Sequence, residues 1–536
     1  MSRIESQRAA QRKRQIAQLS IEKRKERIFT RLAESSAADR GEPMTQSDNI
    51  HYEVSSKVGG TSFGGMAAVH AFVKHIGLDN AINQRLRVFK KRCPYYESDH
   101  VLNVAYNAMC GAVSLQEIEL RRNDEYYLDS LGAERIPDPT TTGDFCRRMS
   151  STSIDILQDA IDDVRLGVWN SQGKDFKKLA KVDMDATIVE TDGECKGGMD
   201  ISYKNIWGYH PLLFTLAETG EVLRLTNRGG NAQSGHNAFK DADKIIALCK
   251  KAEFERIMLR GDTAFTQTDH LDRWDEENVE FVFGIAKHAN LMAKIDEIAE
   301  DQWKPVPRDP SYDPSTPDRS RPDKVKRKII AERGYKNRRL KEEVYVEILY
   351  KPYKCEKTYR LIILRKKQEV TEQGLLFDND VYFFYISNLD SAQYSGLDVV
   401  YESNNRCNQE NVIAQLYSAR ALHAPVDELV SNWAYMVMAS LSWTVKAWIA
   451  LSIPEEPIEI TRKASKQATK KAAKEAVKKI KEEKKRLLRM EHRTFVDQFI
   501  RIPALIVRTG RKLIVRLTSI NPCSHIFNQF LAVALE

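Results

Sequence analysis

At 536 residues with 42% hydrophobic side chains, the chain is too apolar for a solvated polymer and long enough for roughly two to four domains. Lys and Arg number 83 against 75 Asp and Glu, a net charge of +8 and a pI near 8.8, so the placement of charge matters more than its sum. The eight cysteines, Cys93, Cys110, Cys146, Cys195, Cys249, Cys355, Cys407 and Cys523, stand singly with no CxxC pair and no clustered histidines. That argues against a zinc site and a disulfide framework, and it makes a reducing cytoplasm the expected compartment.

The basic start, "MSRIESQRAAQRKRQ", lacks the apolar centre of a secretion signal. Residues 1–48 mix Arg, Lys, Gln and Glu and then lose order-promoting residues in "ESSAADRGEPMTQSDN", which predicts a basic arm and a linker. From 60 to 165 the apolar spacing is helical, and Asp138 with Pro139 reads as a turn and N-cap opening the last segment. An all-α domain follows, with Lys90, Lys91, Arg92, Arg147 and Arg148 as its candidate DNA contacts. The same charges also suit an ordinary solvated bundle surface.

Between 178 and 302 strands alternate with helices. "KKLAKVDMDATIVE" is a strand, "YHPLLFTLAETG" and "EVLRLTNRG" form a hairpin turning at Glu218 to Gly220, and "RIMLRGD" and "VEFVFGIAK" are strands separated by helices. Three antiparallel strands followed by alternating helices and strands is the order of an RNase H-like core. Residues 303–390 interrupt it, first with a Pro-rich loop and then with strands rich in Lys, Arg and Tyr, so an inserted antiparallel β subdomain is expected. Residues 391–452 resume helix as the second part of the core; "WAYMVMASLSW", broken by serines, Thr444 and Lys446, reads as a buried helix and not a membrane span. Residues 453–536 comprise a Lys-rich helix that lies along DNA or extends into solvent, then a helical C-terminal region that docks on the rest.

Three acids mark the chemistry: Asp185 in "KVDMDATIVE", Asp262 in "RIMLRGDTAF" and Glu410 in "YESNNRCNQENVIAQL". The first two close β-prone runs and the third lies on a helix-like stretch four residues after Arg406. Carboxylates at strand ends and on a nearby helix can converge, and such oxygen ligands suit Mg²⁺ or Mn²⁺, two of which about 3.5–4 Å apart serve in-line displacement at a phosphodiester. Asp183, Glu190, Asp192, Glu194 and Glu402 are alternative ligands. Asp183 is the main rival, two residues before Asp185 on the same strand face.

These residues, with "GYHPLL", "RGGNAQSG", "YFFYISNL", "IPDPTTTGDFCRR" and "SNWAYMVMASLSW", resemble the DDE transposases of bacterial insertion sequences, specifically the insertion sequence 1380 family, over about 60–450. The resemblance implies that Asp185, Asp262 and Glu410 hold two Mg²⁺ or Mn²⁺ ions, with Arg406 and Arg260 beside them as DNA contacts. The larger superfamily has Tyr three residues before that Arg and Lys seven after the Glu; here Ser403 and Tyr417 stand there, with Tyr401 slightly early. His210 and His236 are candidate helpers, and Trp207 and Trp303 are candidate stacking partners for an extruded base, though aromatic residues are more often core. The implied partners are double-stranded DNA bearing terminal inverted repeats, target DNA and a second protomer in a nucleoid-associated bacterial complex. An inactive DNA-binding relative and a nuclease without strand transfer are the other readings.

Overall fold

The computed structural model describes residues 59–92, 94–307, 337–372, 375–454, 466–509, 512–519 and 523–534, with scattered helical residues between 19 and 30. Most of the arm and linker expected at 1–48, and the Pro-rich loop beyond Pro307, lie outside the described residues.

The helical spacing of the first part produces α1 (Met66–His75), α2 (Leu78–Arg85), α3 (Glu97–Met109), α4 (Glu125–Leu131), α5 (Pro139–Arg148) and α6 (Ser151–Asn170). Gly77, at φ +71°, supplies the left-handed residue that parts α1 from α2. The start expected at Asp138 is there: its carboxylate accepts from the Thr141 N–H at 2.8 Å, and Pro139 takes the first helical position, where no N–H is needed.

Next come β1 (Ala180–Ala186), β2 (Leu212–Leu216), β3 (Val222–Thr226), α7 (Ala238–Lys251), β4 (Ile257–Gly261), α8 (Thr268–Glu276) and β5 (Val279–Ile285). Side by side the strands run β3, β2, β1, β4, β5; β2 is antiparallel to both neighbours, while β1, β4 and β5 are parallel. Three antiparallel strands followed by alternating helices and strands is the order expected from the sequence, and the helix-linked strands pair in parallel because parallel neighbours need a crossover and antiparallel ones do not. The arrangement is consistent with an RNase H-like fold.

The insert, β6 (Asn337–Tyr350), β7 (Tyr359–Glu372) and β8 (Leu375–Ser387), is antiparallel as its alternation predicts, yet it does not stand apart. β8 pairs with β5 from Phe384↔Ile285 to Ser387↔Val282, so the insert prolongs the core sheet to nine strands, ending on the short strand Lys304–Pro305. Without β8, β5 would be a long apolar edge with unpaired backbone groups; pairing covers it.

After the insert follow α9 (Gly396–Asn405), α10 (Asn408–Ser418), α11 (Leu429–Ser452) and α12 (Lys466–Arg489). Among the described residues α11 is the one helix long and apolar enough to cross a membrane, and it is buried along its whole tested window inside the protein. Its polar residues find partners there. Trp448 donates to Glu221 at 2.7 Å, and the same fully buried carboxylate accepts from Trp169 (2.9 Å), Thr219 (3.0 Å) and Arg165 (3.2 Å), tying α6, the β2–β3 turn and α11 together. Lys446 donates to the carbonyls of Leu488 (2.9 Å) and Met490 (2.6 Å), at the end of α12. The Lys-rich helix is therefore docked rather than wholly solvated, with Ile480 and Leu487 buried.

The C-terminal region departs from the helical expectation. "ALIVRT" and "KLIVRL", both β-branched runs, form the hairpin β9 (Ala504–Thr509) and β10 (Lys512–Leu517), between the helical turns of His492–Ile500 and α13 (Ser524–Ala534). β9 pairs with Gly60–Thr61, and Phe530 of α13 meets Phe72 of α1 edge-on at 5.7 Å, so the two ends of the described chain share one core running from Met66 to Ala534.

Candidate active site

β1 and β4 lie parallel in the middle of the sheet, with Asp183 opposite Arg260 and Met184 opposite Gly261. The next residue on each strand is Asp185 and Asp262, so the register delivers two carboxylates side by side where the strands end. Asp185 is the last but one residue of β1, and its Oδ1 accepts from the Ala186 N–H at 2.8 Å. Asp262 opens the turn after β4, its Oδ1 accepting from the Ala264 N–H at 2.9 Å. Glu410 lies in the first turn of α10 and is exposed. Its neighbour Gln409 is fully buried and donates to the carbonyls of Asp183 (3.0 Å) and Leu213 (3.3 Å), which fastens the start of α10 across β1 and β2.

Burial pushes the Asp185 carboxyl above the ordinary carboxylate range; the Arg406 guanidinium opposes this, and Asp262 and Glu410 both add to the rise. Arg406 Nη1 stands 3.4 Å from Asp185 Oδ2. The chain breaks between α9 and α10 at Arg406 and Cys407, so Arg406 and Glu410 do not ride one continuous helix, and the arginine pairs with the first acid rather than the third.

The rival ligands separate cleanly. Asp183 is buried in a two-pronged pair with Arg260, Nε to Oδ1 at 2.7 Å and Nη2 to Oδ2 at 2.9 Å. Glu402 accepts from Arg260 Nη1 (2.7 Å) and Lys181 (2.6 Å). Both carboxylates are spent inside the protein, and so is the guanidinium of Arg260, which corrects its assignment as a DNA contact: a buried arginine with two carboxylate partners has no face left for phosphate. Glu190 is exposed on a short strand, and Asp192 and Glu194 lie in the loop after it.

Other expected contacts divide in the same way. Arg92 pairs with Glu97 at 2.6 Å and donates to the carbonyls of Asn83 and Leu86, so it ties down the segment between α2 and α3. Lys90 and Lys91 are exposed on that segment. Arg147 is exposed but engaged with Asp427 (2.9 Å) and Asp144 (2.9 Å); Arg148 is exposed, over the Phe89 ring. His210 is buried, its Nδ1 2.8 Å from the Ala232 carbonyl oxygen, and His236 lies beside Asn237. Trp303 is covered by Arg365 at 4.3 Å from its ring and is not available to a base. Trp207 is half exposed on a hairpin between β1 and β2, paired across it with exposed Ile201. Tyr417 donates to the Ile188 carbonyl at 2.7 Å and lies 3.2 Å from Thr187 Oγ1, so it braces α10 against the end of β1 in place of the expected lysine. Ser403 and Tyr401 lie on α9, Tyr401 donating to the Pro307 carbonyl at 3.1 Å.

Gln409 escaped sequence reasoning, although a signal existed. Gln409, Ile413 and Leu416 recur at helical spacing and are all buried, so position 409 belongs to the inward face of α10.

A central mixed sheet with acids at two neighbouring strand ends is consistent with the core of a DDE transposase domain. Residues 52–464 match the family described as "Transposase DDE domain group 1". The chain belongs to that family, the one associated with transposases like those of insertion sequence 1380. No curated protein matches it. Among solved structures, the piggyBac transposase synaptic complex with hairpin DNA, determined by cryo-EM, is 12% identical, with 83% of this chain and 88% of that chain covered at a TM-score of 0.34.

Members of the DDE superfamily generally use divalent metal ions. The donors here fit such ions in kind: three carboxylates, hard oxygen ligands only, near enough for two of them to raise the pKa of the third, with a guanidinium lying against that third one. Among the described residues no three His, Cys, Asp or Glu side chains are grouped so that they could hold an ion as they stand. Asp185 is engaged by Arg406 instead.

Proposed function

We propose that the protein is a DNA transposase that binds the terminal inverted repeats of its element, cuts at the element's ends and transfers the freed 3′-hydroxyl into target DNA. The observation that supports this reading is the parallel register of β1 and β4, which leaves Asp185 and Asp262 at neighbouring strand ends, with Glu410 adding to the rise of the Asp185 carboxyl, in a chain of the DDE family. The three carboxylates would hold two Mg²⁺ or Mn²⁺ ions; when bound, such ions activate the attacking water or hydroxyl and stabilise the leaving oxygen. Arg406 leaves Asp185 for a phosphate of the DNA, supplying the fixed positive charge that a polyanion needs. Exposed Lys90, Lys91 and Arg148 contact the backbone outside the site, and Trp207 offers an open ring face to an unpaired base. Two ends must be held together, so the working form is at least a dimer.

The test is cleavage and strand transfer on a labelled duplex carrying the element's terminal repeat with Mg²⁺ or Mn²⁺, for wild type beside Asp185→Asn, Asp262→Asn and Glu410→Gln. Wild type nicks and joins, while each variant binds the duplex and does neither. Nicking without joining would instead make the protein a nuclease, and binding alone an inactive relative. A variant that keeps full activity would remove that residue from the ligand set.

A further inference from the structure

Behind the three candidate ligands lies a set of side chains for which the proposed reaction has no direct use. Asp183 precedes Asp185 by two residues on one face of β1, and Arg260, on β4, precedes Asp262, in the turn that follows, by two. Gln409 directly precedes Glu410. These three inner residues are joined to one another. Arg260 grips Asp183 with two nitrogens at 2.7 and 2.9 Å, and Gln409 donates to the Asp183 carbonyl at 3.0 Å. Arg260 also reaches α9, donating to the Glu402 carboxylate at 2.7 Å and to its carbonyl at 3.3 Å, and Lys181 closes the set on Glu402 at 2.6 Å. Asp183, Arg260 and Gln409 are each at most 2% exposed.

Taking the reading of the active site above as its basis, we propose that Asp183, Arg260, Glu402 and Gln409 are positioning residues, a buried frame that sets the spacing of Asp185, Asp262 and Glu410. Two cations, Lys181 and Arg260, face two carboxylates, Asp183 and Glu402, so the frame is neutral and needs no ion of its own. Ladder bonds alone fix β1 against β4; nothing in the sheet fixes a helix against them. The frame does so twice, through Glu402 on α9 and Gln409 on α10, and these flank the Arg406–Cys407 break from which Glu410 departs. Side chains that orient metal ligands without touching the metal typically change metal affinity about 10- to 100-fold when altered.

Removing Asp183 outright would strand a buried guanidinium, so gentler changes make the test. Gln409→Met keeps the volume, loses only the two donated bonds, and also removes an Oε1 that has no partner, so the variant is expected to fold. Glu402→Gln keeps an acceptor for Lys181 or Arg260 and removes the charge. Glu221→Gln alters an equally buried carboxylate elsewhere in the core and serves as the control. Mn²⁺ binding to the full-length protein is followed by the loss of the free-ion EPR signal, alongside thermal melting and the Mn²⁺ dependence of cleavage.

Gln409→Met and Glu402→Gln should weaken Mn²⁺ binding at least about 10-fold, and their cleavage should recover as Mn²⁺ is raised. Glu221→Gln should lower the melting temperature while its Mn²⁺ affinity stays within about twofold, since its carboxylate shares no bond with the frame. Wild-type Mn²⁺ affinity in both frame variants would overturn the proposal. So would an equal loss in the Glu221→Gln control, which would mark the effect as general destabilisation. If wild type itself shows no Mn²⁺ site sensitive to Asp185→Asn, the active-site reading fails before the frame is reached.

Discussion

Replacing Lys446 with Met should change stability in a way that depends on pH, and the sign follows from the structure. The ammonium of Lys446 is 1% exposed, over the Trp443 ring at 3.5 Å, and donates to two carbonyls at the end of α12. Burial pushes its pKa down to about 7, against about 10.4 in an unfolded chain. Between those values the unfolded state binds the extra proton, so wild-type stability from this group rises with pH by at most about 1.4 kcal/mol per pH unit. Below about 7 the full cost of burying the charge is present, an upper bound of about 4–5 kcal/mol. The two carbonyls and the indole face favour the charged form and shrink that figure. The Lys446→Met variant has no such dependence but leaves the Leu488 and Met490 carbonyls without their donor, at about 1–3 kcal/mol each. Urea unfolding followed by tryptophan fluorescence, run from pH 6 to pH 9.5 on wild type and Lys446→Met, gives the difference directly. The wild type should gain on the variant steadily as pH rises above about 7. A difference that stays flat, or that falls with pH, would mean that the ammonium is not desolvated as its burial requires.

Other expectations rest on single features. Glu221→Leu removes the acceptor shared by Trp169, Trp448, Thr219 and Arg165 and should cost about 3–5 kcal/mol in the same assay, with Glu221→Gln costing less. Gly208, at φ +157°, would place a Cβ 2.1 Å from the Val189 carbonyl oxygen, so Gly208→Ala should loosen the hairpin that carries Trp207, read as faster protease cleavage between 200 and 209 with little change in overall melting. Trp207→Ala should weaken binding to a DNA end with an unpaired base by about 1–3 kcal/mol and leave fully paired duplex binding unchanged; equal loss on both would assign the ring to packing. His492 is buried and its pKa is pushed down to about 4, so as pH falls from about 6.5 towards 4 the unfolded state takes up the proton first and stability drops; His492→Leu should flatten that acid limb in thermal melts.

The strands and helices of the core were legible because each carries its own periodicity. "RIMLRGD" and "VEFVFGIAK" are continuous apolar runs, as parallel strands covered on both faces require, and they are β4 and β5. The buried nature of α11 was legible from the serines, Thr444 and Lys446 that interrupt its apolar run, and the charge of Lys446 is costly in lipid. The C-terminal hairpin was missed because short β-branched runs also satisfy helical spacing, and what decides between them is pairing with Gly60–Thr61, more than 400 residues away in the chain. The union of the insert with the core sheet was hidden for the same reason, since β8 and β5 meet only through a register that neither segment displays alone.

The acids pose that problem most sharply. Asp183 and Asp185 are chemically identical, lie on one strand face and are both followed by apolar residues, so strand geometry by itself gives neither precedence. What separates them is a partner 77 positions on: Arg260 reaches Asp183 because β1 and β4 are paired in parallel with those two residues opposite, and the same register leaves Asp185 beside Asp262, another acid. One carboxylate is thereby neutralised in the interior and the other is held near like charge, with Arg406 and the Ala186 N–H to oppose it. A cluster of carboxylates kept together at the edge of the core is costly unless a cation joins it. In the proposed frame, Asp183, Arg260, Glu402 and Gln409 tie β1, β4, α9 and α10 together without drawing on the carboxylate of Asp185.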